Sequence, residues 1–144
     1  MNKPRAMTPV SDQLTILMDG VDLGSETLQN AMETELIALL EEDRPLTVYC
    51  GYDPTATDLH LGHIPTMVKL RQFQDFGHHV IFLIGSFTAQ VGDPTGKQST
   101  RPMLDEKAVQ AFSQSYIDQA FIILDAEKTE VLYNHEWLAP LNFA

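Results

Sequence analysis

Two stretches decide the fold: Leu46-Thr47-Val48-Tyr49-Cys50 and His79-Val80-Ile81-Phe82-Leu83-Ile84. The first is β-branched and aromatic, the composition of a strand. The second is nearly all apolar, and continuous apolar strands of this kind are usually buried on both faces, as in parallel sheets. Between them lie a loop, Gly51 to Asp58, that contains Pro54, and a helical stretch from about Gly62 to Phe76 with Gly77 as its C-terminal stop. Strand, loop, helix, strand is a βαβ unit. Its crossover should be right-handed, and ligands should gather at the carboxyl ends of its strands. The fold class is therefore α/β, a parallel sheet with flanking helices. Two loops leave the carboxyl ends, Gly51–His63 and Gly85–Pro102, both rich in Gly, Pro, Thr and Asp.

Outward from this unit, Asp105 to Leu124 reads as one helix, with Val109, Phe112, Tyr116, Ile117, Ala120 and Ile123 on its apolar side. Glu130 to Tyr133 reads as a third strand, and Asn134 as the cap of a turn beginning at Glu136-Trp137. The last residues, Asn142-Phe143-Ala144, carry no capping segment and read as a cut. Toward the amino end, Ser25 is a plausible N-cap for a helix whose Leu28, Met32, Leu36, Leu39 and Leu40 recur at helical spacing. Arg44-Pro45 ends it. Gly20 and Gly24 mark a loop, Gln13 to Met18 stays unassigned, and Met1 to Ser11 is expected to fray. The chain divides into a helical segment, 1–45, and the first part of an α/β domain, 46–144.

Composition excludes some classes. The 144 residues are 44% hydrophobic and 20% charged, enough to build a core and against wholesale disorder. Nine basic and 20 acidic residues give a net charge of −11, which makes a general nucleic-acid surface a poor reading. A local cationic site for a small phosphorylated ligand remains compatible. The acidic run of Glu33, Glu35, Glu41, Glu42 and Asp43 reads as a solvated helix face. Cys50 is the single cysteine and has no disulfide partner, which fits a reducing compartment. No stretch approaches a membrane span, so a soluble, cytoplasmic protein is expected.

The chemistry sits in the two loops. His60-Leu61-Gly62-His63 places two imidazoles three apart at a helix start, where free N–H groups favour phosphate. Gly62 would let a base or ribose approach the backbone. On spacing alone the plainer reading is favoured, surface polar residues at a helix end. A zinc site lacks a third ligand at sensible spacing. In the second loop, Gly92-Asp93-Pro94-Thr95-Gly96-Lys97, followed by Arg101, does not match a P-loop: three residues separate the glycines, and Gln98 follows the lysine. It reads either as a plain turn or as a loop that brings Lys97 and Arg101 onto a polyphosphate.

Tyr49 to His63 resembles the strand and His-x-Gly-His signature of class I aminoacyl-tRNA synthetases. With Gly51-Tyr52-Asp53-Pro54-Thr55 ahead and Gly92–Lys97 behind, it is similar to the bacterial tyrosyl-tRNA synthetases. Leu70 to Val80 and Tyr133-Asn134-His135-Glu136-Trp137 extend the likeness over most of the chain from Leu46. The resemblance implies a Rossmann-like catalytic domain and a two-step reaction: tyrosine and ATP give tyrosyl-adenylate, and the tyrosyl group passes to its tRNA. By matching position, His60, His63, Thr55, Lys97 and Arg101 would serve catalysis at the phosphates. Cys50, Gly51, Asp53, Gly62 and the two histidines would bind ATP, which enters with Mg2+, and no resident protein metal is implied. Tyr49, Gly51, Asp53, Thr88 and Asp93 would bind tyrosine. Each has a plainer reading: Tyr49 as a strand residue, Cys50 as core, Thr88 as turn chemistry. The Lys-Met-Ser-Lys-Ser-like second signature and a tRNA-binding domain are missing from these residues. Tyrosine, ATP and, through other parts, tRNA are the implied partners of a homodimeric parent. An inert folding or binding fragment and a tryptophanyl-type enzyme are the alternatives.

Overall fold

The computed structural model describes residues 8–91 and 104–141. The sheet has three strands in the order β1 (Thr47–Tyr52), β2 (His79–Ile84) and β3 (Thr129–Tyr133), all parallel. Thr47 pairs with His79 and Tyr52 with Ile84; Val80 pairs with Thr129 and Ile84 with Tyr133. β1 therefore runs two residues past the expected Cys50: Gly51 and Tyr52 lie in the strand, because Leu83 and Ile84 of β2 continue the ladder beside them.

Helix α3 (Ile64–Phe76) crosses from β1 to β2, and α5 (Glu106–Ala120) belongs to the connection from β2 to β3. A 3-10 turn, Leu61–His63, precedes α3, and Pro65 occupies its first turn, where its missing N–H costs nothing. Gly77 ends α3 in the left-handed region at φ 93°, which a residue with a Cβ adopts only under strain. α5 stops at Ala120, short of the expected Leu124. There the bonds shorten into turns, Ile122 N–H to Gln119 C=O and Ile123 N–H to Ala120 C=O.

Both long crossover helices pack on one face of the sheet. Met67 and Leu70 of α3 and Tyr116, Ile117 and Ala120 of α5 close over Val80, Phe82 and Ile84, which are fully buried. Burial on both faces, expected from the apolar run of β2, is not what these residues show. Ile81 and Leu83 on the other side are half-buried, and Tyr49 is 68% exposed. The described residues supply no layer over that face, so the strand alternates despite its apolar sequence.

Upstream, α1 (Val10–Met18) and α2 (Glu26–Leu40) build a second cluster, with Leu17, Leu40 and Leu46 buried against Phe73 and Phe76. The unassigned Gln13–Met18 stretch is thus helical. Lys69 of α3 donates to the carbonyls of Ile16 and Asp19 at its end, completing orphan acceptors of the helix terminus. Ser25 stands at the N-cap of α2 but makes no side-chain cap bond. The apolar stripe of α2 is buried at Leu40 and half-buried at Leu36, whereas Leu28, Met32 and Leu39 stay exposed. A short helix, α4 (Thr88–Val91), interrupts the second expected loop, and α6 (His135–Leu138) follows β3. Met1 to Met7, Asp93, Lys97, Arg101 and Asn142 to Ala144 lie outside the described residues.

Candidate active site

The signature turn is built by the histidines themselves. His60 Nδ1 accepts the Gly62 N–H at 3.1 Å, and His63 Nδ1 accepts the His60 N–H at 3.1 Å, a reciprocal capping box. A backbone N–H has no lone pair to offer, so each Nδ1 is an acceptor. In the neutral imidazoles the proton then sits on Nε2. The rings stack with centroids 3.8 Å apart and 25° between planes. Burial first, and then the electrostatic effect of the neighbouring His60, hold the His63 imidazole below the usual histidine range. The pair thus offers two Nε2–H donors at the carboxyl end of β1.

Gly62 has a local reason to be glycine. A Cβ there would lie 2.9 Å from His60 Cε1, so a side chain would push the imidazole out of its cap. Gly51 has no such reason: its Cβ would meet only Leu83, at an ordinary 3.7 Å. Below the turn, the buried Tyr52 stacks on Phe82 at 4.7 Å and pairs its hydroxyl with Thr66 Oγ1 at 2.8 Å. Thr66 in turn donates to the His63 carbonyl. Burial pushes the Tyr52 phenol well above the usual tyrosine range, so it remains a neutral hydroxyl. From α5, Gln119 accepts the Leu59 N–H at 3.0 Å and donates to Asp58 Oδ1 at 2.9 Å, fixing the approach to the signature.

The expected residues fall into three groups. Cys50 is half-buried and packs on the helix-covered side of β1, as core. Tyr49 and Gly51 are exposed, on the uncovered side. Asp53 lies just past the strand, and its Oδ1 accepts the Thr88 hydroxyl at 2.6 Å, bringing the carboxyl ends of β1 and β2 together. Thr55 is half-buried in the turn that follows, its N–H bonded to the Asp53 carbonyl. Sequence reasoning overlooked Thr66, Gln119, Gly85, where a Cβ would stand 1.7 Å from Asp53 Oδ1, and the bonds of Asn134 to Phe87 and Thr88. Only a glycine directly after an apolar strand hinted at one of them. Among the described residues no group of three or more His, Cys, Asp or Glu is placed to hold a metal ion.

Known proteins resemble this chain in sequence and in fold. Residues 41–144 match the family described as class I tRNA synthetases for tryptophan and tyrosine. A tyrosine–tRNA ligase of Nitrosospira multiformis is 48% identical over 136 residues, which are 94% of this chain and 32% of the relative. One from Aquifex aeolicus is 48% identical over 135 residues, 94% of this chain and 33% of the relative. This chain thus spans about a third of the length of such relatives. In fold, it resembles the tyrosyl-tRNA synthetase of Aeropyrum pernix (TM-score 0.67, 19% identity, 92% of this chain and 36% of that one). It also resembles the tryptophanyl-tRNA synthetase of Plasmodium falciparum (TM-score 0.63, 12% identity, 94% and 37%). With the parallel sheet, the histidine turn and a family match over residues 41–144, the chain belongs to the class I tRNA synthetases of the tryptophanyl and tyrosyl type.

Proposed function

We propose that this chain supplies the first-signature half of a site that activates tyrosine with ATP and passes it to tRNA(Tyr). A carboxylate oxygen of tyrosine attacks the α-phosphorus of ATP; the bond to pyrophosphate breaks, and tyrosyl-adenylate and pyrophosphate result. The observation that carries the reading is the imidazole pair, whose backbone bonds occupy each Nδ1 and leave both Nε2–H groups as donors. Such donors stabilise charge that builds on the departing pyrophosphate, and no side-chain nucleophile is required. ATP arrives as its Mg2+ complex, as substrate.

The strand end divides the two substrates. His60, His63, Thr55 and Gly62 take the nucleotide on the helix-covered side, with Cys50 behind them. Tyr49 and Gly51 face the uncovered side, where a phenol ring would lie; that Gly51 is not required by packing supports a ligand there. Asp53 stands where the sides meet, with Thr88 bound to it. Lys97 and Arg101 would clamp pyrophosphate and Asp93 take the α-ammonium. Tyrosine is favoured over tryptophan by the relatives that are 48% identical, all tyrosine ligases. In this reading residues 1–45 form a helical lead-in to the catalytic part at 46–144, and the whole enzyme is cytoplasmic and homodimeric, with tRNA bound through residues outside this stretch.

The uncovered sheet face favours a second reading, in which these 144 residues alone fold or bind without turnover. Exchange of labelled pyrophosphate into ATP tests both. Tyrosine-dependent exchange by a full-length protein carrying this sequence is expected; exchange with tryptophan and not tyrosine would overturn the amino-acid assignment. Exchange by this chain alone would sink the inert reading.

A further inference from the structure

At the end of β3, Asn134 is a buried polar side chain whose two amide atoms are both engaged. Its Oδ1 accepts the Phe87 N–H at 2.8 Å, and its Nδ2 lies 3.1 Å from Thr88 Oγ1. The Phe87 N–H can only donate, so it fixes the amide's orientation: oxygen toward Phe87, nitrogen toward Thr88. Thr88 Oγ1 therefore accepts from Asn134 and spends its own proton on Asp53 Oδ1, at 2.6 Å, or on the Gly85 carbonyl, at 3.2 Å. The shorter bond to an ionised acceptor is the stronger. The chain of bonds has one direction, from a backbone N–H through Asn134 and Thr88 to the carboxylate. Gly85 makes room for it: a Cβ at that position would stand 1.7 Å from Asp53 Oδ1 and 2.6 Å from Thr88 Oγ1.

We infer that Asn134 is a positioning residue for the activation reaction, acting through Thr88 to hold the Asp53 carboxylate over Gly85. It leaves Asp53 Oδ2 for a ligand. This rests on the reading of Asp53 as a substrate-binding group. It also reassigns Thr88, whose hydroxyl serves Asp53 before any α-ammonium.

Asn134→Asp tests the direction of the chain. It keeps an acceptor for Phe87 and replaces the donor toward Thr88 with a second acceptor, which competes with Asp53 for the Thr88 proton. In a full-length protein carrying this sequence, kcat/KM for tyrosine-dependent pyrophosphate exchange should fall about 10–100-fold, the scale for a misplaced substrate contact. Thr88→Val should lose a similar factor and Thr88→Ser should restore most of it. In the Thr88→Val background, Asn134→Asp should cost little more, because no hydroxyl remains to orient. Losses that multiply independently, or an Asn134→Asp protein as active as the unsubstituted one, would overturn the inference. In this chain, the Asn134 side-chain amide protons should be slow to exchange and should quicken in Thr88→Val; an unchanged rate would also overturn it. Absence of exchange activity in the unsubstituted protein would instead overturn the proposed function, and the reaction role of Asn134 with it.

Discussion

The two ends of α3 both carry histidine, and they use it in opposite ways. At the amino edge of the sheet, His78 is buried and both its ring nitrogens are spent on the protein. Nδ1 accepts the Leu46 N–H at 3.1 Å, and Nε2–H donates to Gln13 Oε1 at 2.9 Å. Gln13 is itself 1% exposed and passes its amide to the Thr8 carbonyl, so the histidine latches α1 to the start of β1. At the carboxyl edge, His60 and His63 spend one nitrogen each on backbone and keep the other. A ring whose nitrogens are both satisfied inside the fold holds structure; a ring held by one nitrogen can present the other to a substrate.

The comparison breaks most visibly at the carboxyl edge. His60→Ala in a full-length protein should slow adenylate formation by about 2–4 kcal/mol of transition-state stabilisation while tyrosine affinity changes little. Stopped-flow adenylation beside equilibrium tyrosine binding checks it, and an equal loss in both would remove His60 from the chemistry. His78→Ala should do the reverse. It strands the Leu46 N–H and the Gln13 amide in a buried site, a loss of about 1–3 kcal/mol in urea unfolding. Rate per folded molecule should hold; a His78→Ala protein that is stable but slow would dissolve the distinction between the two ends. Gln119→Ala falls between the two in kind and below both in size. It frees the Leu59 N–H and should cost about 0.5–1.5 kcal/mol of stability, with a modest drop in adenylation as the approach to the signature loosens. Unfolding and exchange measured on the same preparation would show whether the two losses travel together.

The sequence carried most of one end and little of the other. The βαβ unit was legible because its periodicities and Gly77 are local signals; the histidine turn stood out only through its resemblance to a known signature, since spacing alone did not single it out. The roles of His78, Gln119 and Asn134 were not, since their partners lie 32 to 65, 60 and 46 or 47 positions away. Nothing in a window of ten residues distinguishes a latching histidine from a catalytic one. The fully buried reading of β2 failed for a different reason. An apolar run reports a preference for burial, and whether a second layer covers it depends on other residues. Ile81 and Leu83 have that preference without the cover.

Acidity should also separate the two ends, with the smallest of these effects. Burial holds the His78 imidazole below its ordinary value of 6.5, and its Nδ1 has no lone pair left for a second proton while Leu46 is bound there. The unfolded chain takes up that proton near pH 6.5, whereas the folded chain resists it until the pH is lower. Over that window the unfolded state binds more protons, so stability is fully present above pH 6.5 and drains away as pH falls toward the depressed folded value. His63 contributes in the same direction, from burial and from its neighbour His60. Urea unfolding at pH 7.5 and at pH 5.5 measures the sum. His78→Gln should remove the amino-edge share of the difference and His63→Gln the carboxyl-edge share. The larger share should fall to His78, because protonating it costs a backbone bond in a buried site, while His63 at the domain surface can turn toward water. A pH difference untouched by His78→Gln would mean that the latch opens without cost, and that the apolar packing around Leu17, Leu40 and Leu46 holds the amino edge without it.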